Sequence, residues 1–357
     1  MKILQATTAR GWSGGTEQAL LLAFYMNKLG HETDILALPG TELEKRAKKL
    51  NIRVRYFPNT KKFSLREARR LAGIIEEYDV VNTHISKAHW FVWSAVPFAK
   101  RKPVIVYSRR VPYPVSTVSL LTKYNLWTDG IIAVSPEIEN LLKRKPFVGK
   151  KVRFIPSGVE LNRFSPGIKS KVRKELGIPE GKLLIVNVGN FSEVKGHHVL
   201  IPAFKKLFDS KVDANLLLVG RDTESREAQE LIEKFGLKGK IYTLGFRRDV
   251  PEILKAADLF VFPSLNEGIA GSLLQAMAME KVVVASYTGG IKSYLKDGIN
   301  GIAVRPGDVE SLFKGILRGI ENLHNERMKK EARKTAERFD INRVAKETIN
   351  FYEELLE

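Results

Sequence analysis

Short apolar runs alternate with longer amphipathic stretches along almost the whole chain, and this rhythm leaves little choice of fold. In the first half the runs lie near 2–6, 33–37, 53–57, 79–83, 103–107, 130–134 and 152–155. The stretches between them carry helical spacing. In residues 16–29, Ala19, Leu22, Ala23, Met26 and Leu29 recur close to the i, i+3, i+4, i+7 pattern of one helical face, and Gly30 then stops the helix. Runs such as Gly130-Ile-Ile-Ala-Val134 are apolar throughout rather than alternating, as expected of strands buried on both faces of a parallel sheet. The second half repeats the plan at 183–188, 215–219, 240–244, 258–262, 281–285 and 301–304.

A chain of 357 residues with 44% hydrophobic content is more than one core usually organises. Between the two series of strands, residues 156–182 hold Pro156, Gly158, Pro166, Gly167, Gly177, Pro179 and Gly181, the punctuation of a linker. The expectation is therefore two doubly wound α/β domains, residues 1–165 and 166–340, with residues 341–357 a final helix packing back toward the first. Ligands of open α/β sheets lie beyond the carboxyl ends of the strands, so chemistry is expected in a cleft where two such domains face each other.

The chain has no cysteine, which excludes disulfides, thiolate metal sites and a thiol nucleophile. There is no apolar run of membrane-spanning length and no basic-then-apolar leader, so a cytoplasmic protein is expected. The net charge of +19 is unevenly placed: residues 1–165 hold 28 Lys and Arg against 13 Asp and Glu, and residues 166–357 hold 31 against 27. An anionic partner for the first half follows, either a membrane surface on the cytoplasmic side, a phosphorylated glycan or nucleic acid. The basic runs match no nucleic-acid motif, and a merely solvated basic surface is the plain alternative.

Trp12-Ser-Gly-Gly-Thr16-Glu17 follows the first strand and opens the first helix. Gly14 and Gly15 there permit either a close approach to phosphate or only a tight helix start, with Ser13 or Thr16 as a cap. His84 ends the fourth strand, where it either contacts a sugar or hydrogen-bonds within the strand end. His89, His197 and His198 read as surface or packing residues. Tyr107-Ser-Arg109-Arg110-Val-Pro112-Tyr113-Pro114 follows the fifth strand, and Arg109 with Arg110 forms a candidate site for an anionic acceptor. Lys61, Lys62, Arg66, Arg69, Arg70 and Lys100-Arg101-Lys102 extend the basic character, while Trp90, Phe91 and Trp93 read as core or as interfacial anchors. No histidine and carboxylate set has ligand spacing, so neither a metal nor any other cofactor is expected.

The most specific element is Phe262-Pro-Ser-Leu-Asn-Glu267-Gly268-Ile269-Ala270-Gly271, running into Gln275 and followed by Gly289-Gly290. A helix starting near Ala270 would direct its first N–H groups at an anion, and Gln275, one turn further in, could reach hydroxyls beside it. This segment resembles the nucleotide-sugar signature of the GT-B glycosyltransferases of family 4, retaining enzymes with a Glu-x7-Glu pair. The resemblance extends over most of the chain. Gly14-Gly15-Thr16-Glu17 is similar to the family's glycine loop, Ile155-Pro-Ser-Gly-Val159-Glu160 to its domain junction, Val188-Gly-Asn190 with Lys195-Gly196 to its basic donor site, and Leu244-Gly-Phe246 to the segment that precedes the signature.

The resemblance implies a GT-B fold, two Rossmann-like domains. It implies a nucleotide-sugar donor and a glycan or lipid-linked acceptor, in cell-surface polysaccharide or lipopolysaccharide synthesis. Glu267 would contact the transferred sugar, Lys195 neutralise the leaving diphosphate and His84 assist. Gly14, Gly15, Asn190, Phe246, Gly268, Ile269, Ala270, Gly271 and Gln275 would line the donor site. Three departures stand out: Gln275 takes the place of the ribose carboxylate, Asn190 that of an arginine, for which Arg247 or Arg248 is a candidate substitute, and Ser293 that of a frequent glutamate. They keep a catalytically degenerate glycan- or nucleic-acid-binding paralogue open as the alternative, ahead of a nucleotide-sugar 2-epimerase.

Overall fold

The computed structural model describes residues 1–111, 115–145, 148 and 151–357, so Pro112, Tyr113 and Pro114 lie outside the described residues. The chain divides into two compact units, Met1–Gly158 with Ile341–Glu357, and Val159–Asp340. The first break falls earlier than residue 165. Val159 donates its N–H to the Phe339 carbonyl at 2.8 Å, and Val159 and Phe164 are buried in the second unit's core. Side chains that need a core thus place the break, not the prolines and glycines around it.

The first unit holds a seven-stranded parallel sheet: β1 (Lys2–Ala6), β2 (Glu32–Ala37), β3 (Val54–Tyr56), β4 (Val80–Thr83), β5 (Val104–Arg109), β6 (Gly130–Ala133) and β7 (Val152–Phe154), in the order β3-β2-β1-β4-β5-β6-β7. Strand order reverses between β1 and β4. On one face the helix Gly14–Lys28 and the final helix Ile341–Leu356 share a core in which Leu22, Tyr25 and Met26 meet Ile341, Val344, Phe351 and Tyr352. Two glycines allow that last helix its close seat. A Cβ on Gly130 would lie 2.5 Å from Leu355 and 2.9 Å from Phe351, and one on Gly158 would lie 2.8 Å from the Ile341 Cα.

The second unit holds a six-stranded parallel sheet: β8 (Leu183–Val188), β9 (Ala214–Val219), β10 (Ile241–Thr243), β11 (Leu259–Phe262), β12 (Val282–Ser286) and β13 (Ile302–Val304), in the order β10-β9-β8-β11-β12-β13. Here the order reverses between β8 and β11. Its strands are largely apolar because both faces are covered: Leu184, Val186 and Phe260 point into one core, and Ile185, Leu216 and Val261 into the other. Every strand expected from the apolar runs is present in the two sheets. Among the described residues no helix is long and apolar enough to cross a membrane.

Candidate active site

In the second unit the switch between β8 and β11 brings together residues far apart in sequence. Beyond β8 the chain makes a short turn, Glu193–Lys195, then enters the helix His197–Asp209 through Gly196, whose φ is +71°. A Cβ at Gly196 would stand 2.1 Å from the Pro263 carbonyl oxygen, so this crossing demands glycine. Beyond β11 the loop 263–270 leads into the helix Gly271–Ala278. The two helix starts thus flank the crevice where open α/β sheets hold ligands.

Lys195 and Glu267 meet there. The Lys195 ammonium donates to Glu267 Oε1, and the side chains are 31% and 12% exposed. The Ser264 hydroxyl lies 2.7 Å from the same carboxylate oxygen and 2.9 Å from the Val194 carbonyl, with one hydrogen to donate between them. The Glu267 main chain is held as firmly: its carbonyl accepts from the Gly290 N–H at 2.9 Å, while Thr288 donates its hydroxyl to the Leu265 carbonyl at 2.9 Å. Gly289 has a φ of +50°, and a Cβ on it would sit 1.9 Å from the Glu267 carbonyl oxygen.

Neither helix at the crevice has a side-chain cap or an acidic residue in its first turn. Their leading N–H groups are therefore available to an anion, and the helix dipoles favour one. Ala270 precedes its helix with a φ of −76°, a value any L-residue adopts, so alanine here costs no strain. Gln275 is half-buried on the first turns of this helix, and its amide makes no hydrogen bond to the described residues.

Not every nominee is placed as expected. Asn190 turns its side chain to the neighbouring loop beyond β9, accepting the Arg221 N–H at 3.1 Å. Arg247 cannot substitute for a missing arginine, because Glu175 at 2.7 Å and Asp249 at 2.7 Å already hold its guanidinium and raise its pKa still further. Phe246 lies beyond β10 and is 39% exposed. Two residues were missed, Ser264 and Asn187. Asn187 sits in β8, donates to the Val261 carbonyl at 2.9 Å and leaves its own Oδ1 buried without a partner. The signal was available: an asparagine interrupts the run Leu183-Leu-Ile-Val-Asn187-Val.

In the first unit the switch between β1 and β4 places the glycine loop and His84 at adjoining strand ends. Thr16 closes the helix start, accepting the Ser13 N–H at 2.7 Å, so the capping reading holds there. An arginine runs beneath Gly15: a Cβ on that glycine would lie 3.3 Å from the Arg110 Cδ. Arg110 donates to Ser157 at 2.8 Å and to His84 Nδ1 at 3.0 Å, which makes Nδ1 the acceptor. The His84 proton must then reside on Nε2, which lies 2.7 Å from Gln5 Oε1. His84 is thus a neutral tautomer with both nitrogens engaged, and burial, with the Arg110 charge second, holds its pKa well below the usual value.

Arg109 and Arg110 were expected to emerge beyond β5 as a site for an anionic acceptor. Instead Arg109 is 4% exposed and donates to the Tyr124 hydroxyl, and burial lowers Arg110 to about 10. His89 is interior, sharing a short contact of 2.9 Å with Thr83 and stacking on Tyr107 at 4.5 Å. Phe91 joins the core at 2% exposed whereas Trp90 is 43% exposed, and Trp93 donates to the Leu126 carbonyl at 2.6 Å.

Three histidines make stability depend on pH. Burial lowers His84 well below 6.5, and His89 and His197 to about 4. Between those values and the unfolded 6.5 the unfolded chain binds more protons, so this contribution is complete above pH 6.5 and is lost as pH falls. Each histidine should remove about 1.4 kcal/mol per pH unit across its window. Melting temperatures measured from pH 7 down to pH 5 should fall steadily; a flat profile would contradict the buried neutral assignment.

Residues 168–335 match the family described as Glycosyl transferases group 1, and residues 12–163 match Glycosyltransferase Family 4. The chain is 26% identical over 349 residues to the putative glycosyltransferase EpsD of Bacillus subtilis (strain 168), covering 92% of this chain and 90% of that protein. It is 27% identical over 258 residues to the UDP-Gal:alpha-D-GlcNAc-diphosphoundecaprenol alpha-1,3-galactosyltransferase of Escherichia coli, covering 68% of this chain and 66% of the other. In fold it is similar to the crystal structure of Anabaena Alr3699/HepE in complex with UDP-glucose, with a TM-score of 0.86, 24% identity and coverage of 98% of this chain and 99% of that one. Two parallel sheets, a crevice at the second switch point where Lys195 meets Glu267 and these matches across both halves agree: the chain is a GT-B glycosyltransferase of family 4.

Proposed function

We propose that the chain is a retaining transferase that moves a sugar from a nucleoside diphosphate sugar to a glycan or lipid-linked acceptor, in the synthesis of a cell-surface polysaccharide or lipopolysaccharide. The observation that carries this reading is the meeting of Lys195 and Glu267 beside two uncapped helix starts at the β8/β11 switch. The galactosyltransferase relative is named for a lipid diphosphate acceptor and the Anabaena structure holds UDP-glucose, which is consistent with both substrates.

In this mechanism the diphosphate rests on the N–H groups that open the helices at 197 and 271, with the Lys195 ammonium as its cation. The acceptor hydroxyl attacks the anomeric carbon on the face from which the diphosphate departs. The new C–O bond forms as the old one breaks, and the departing phosphate oxygen takes the acceptor's proton. Charge develops on the leaving phosphate, so the preorganised cation and dipoles act where it grows. Glu267, oriented by Ser264 and Gly290, holds the sugar's hydroxyls, and Gln275 reaches the ribose by its amide. No metal is required by this scheme. The basic first half would keep the enzyme near an anionic membrane surface, an attraction that salt weakens.

The test is thermal stability with and without UDP, GDP, ADP and CMP. A ligand at 100 times its dissociation constant adds about 2.7 kcal/mol, a readily resolved shift. One diphosphate should raise the melting temperature of the wild type and fail to do so for Lys195→Ala. No shift with any nucleotide would instead favour a glycan-binding module without a donor.

A further inference from the structure

We propose that the groove at the carboxyl ends of β12 and β13 is a second anion site that takes the phosphate of a small phosphorylated sugar. The groove encloses about 660 Å³, well within the range that holds a compact ligand, and belongs wholly to the second unit. Lys292, Lys296 and Arg305 line it, all exposed, and among the described residues none of the three forms an ion pair. One carboxylate, Asp297, also lines it, but that charge is already answered: Arg318 Nη2 lies 3.1 Å from each of its oxygens, and the Ala303 N–H donates to it at 2.9 Å. The wall therefore presents three cations against one carboxylate that Arg318 already engages, with Glu331 acting on Lys296 from outside the lining, and a bound dianion would relieve the excess of positive charge.

The rest of the lining fits a sugar phosphate better than a bare ion. Leu295 and Val304 are buried beneath the groove, while the Tyr287 ring stands 44% exposed beside it, a platform for the face of a sugar. Ser311, in the first turn of the helix Val309–Glu321, accepts the Arg305 N–H at 2.9 Å and keeps its own hydroxyl hydrogen to donate. The site also adjoins the donor loop through the chain itself. Tyr287 and Lys292 bracket Gly289 and Gly290, and the Gly290 N–H holds the Glu267 carbonyl. A ligand fixing this segment would therefore steady Glu267.

This inference goes beyond the donor assignment and stands without it, because binding is read without transfer. Wild type, a groove variant (Lys292→Ala, Lys296→Ala, Arg305→Ala) and a control losing equal charge elsewhere in the unit (Lys169→Ala, Lys171→Ala, Lys174→Ala) are titrated calorimetrically with glucose 6-phosphate at constant ionic strength. Wild type, control and Lys195→Ala should bind alike, and the groove variant should bind at least about tenfold more weakly. Retained circular dichroism in the groove variant, and the same direction of change in Arg305→Gln alone, separate lost binding from lost folding. Incubation with a nucleotide sugar distinguishes the two sources of the phosphate: glycosylation of the sugar phosphate makes it a substrate, and altered donor turnover without its consumption makes it an effector. The inference is overturned if wild type does not bind, if the control loses affinity equally, or if Lys195→Ala abolishes binding while the groove variant keeps it.

Discussion

Lys195→Ala is expected to lower the rate of sugar transfer by about 10²–10³-fold, the loss typical when one preorganised donor to a developing negative charge is removed. Its fold should survive. Lys195 is 31% exposed and its pairing with Glu267 is partly solvated, so the stability it contributes is at most about 1 kcal/mol. The effect should appear in kcat more than in KM, because the charge Lys195 meets grows as the diphosphate leaves. Lys195→Arg, which restores the charge but not the compact ammonium, should recover part of the rate. A Lys195→Ala enzyme with undiminished kcat would remove this residue from the mechanism.

Gly289→Ala should cost at least about 2 kcal/mol of stability and most of the activity, through backbone alone. The φ of +50° disfavours any L side chain, and the added methyl would lie 1.9 Å from the Glu267 carbonyl oxygen. Relief requires the donor loop to move, which breaks the Gly290 bond that positions Glu267. Gly181→Ala, outside the donor site, is the matching control, since nothing lies within 4 Å of its would-be Cβ. Chemical denaturation and initial rates of both variants check the contrast. An unperturbed Gly289→Ala would mean that the loop is not clamped as described.

What was legible in the chain follows from what is local. Parallel strands buried on both faces are continuous apolar runs, so β6 and β11 announce themselves. The helix after Glu267 was placed to within a residue, because its start is set by the loop glycines and its register by Leu273, Leu274 and Met277 facing the core. What was not legible depends on partners distant in sequence. Arg109 and Arg110 read as cations open to an anionic acceptor, yet Tyr124, Ser157 and His84 engage them. Arg247 looked available until Glu175, which lies far back in the chain, was found holding it. Ser264 carries no pattern of its own; only the packing of the Val194 turn against β11 reveals that its hydroxyl serves Glu267.

The first unit is sewn from two separate lengths of chain, with the second unit inserted between Gly158 and Ile341. This sets an order of events during synthesis. The inserted unit is continuous and its sheet can close while the ribosome is still adding the last helix, whereas the face of the first sheet that receives Ile341, Phe351 and Tyr352 stays uncovered until then. A nascent chain stalled near residue 340 would therefore carry a finished second unit and an unfinished first, with an apolar face available to chaperones. Termination of synthesis before Ile341 would thus injure the unit begun earliest.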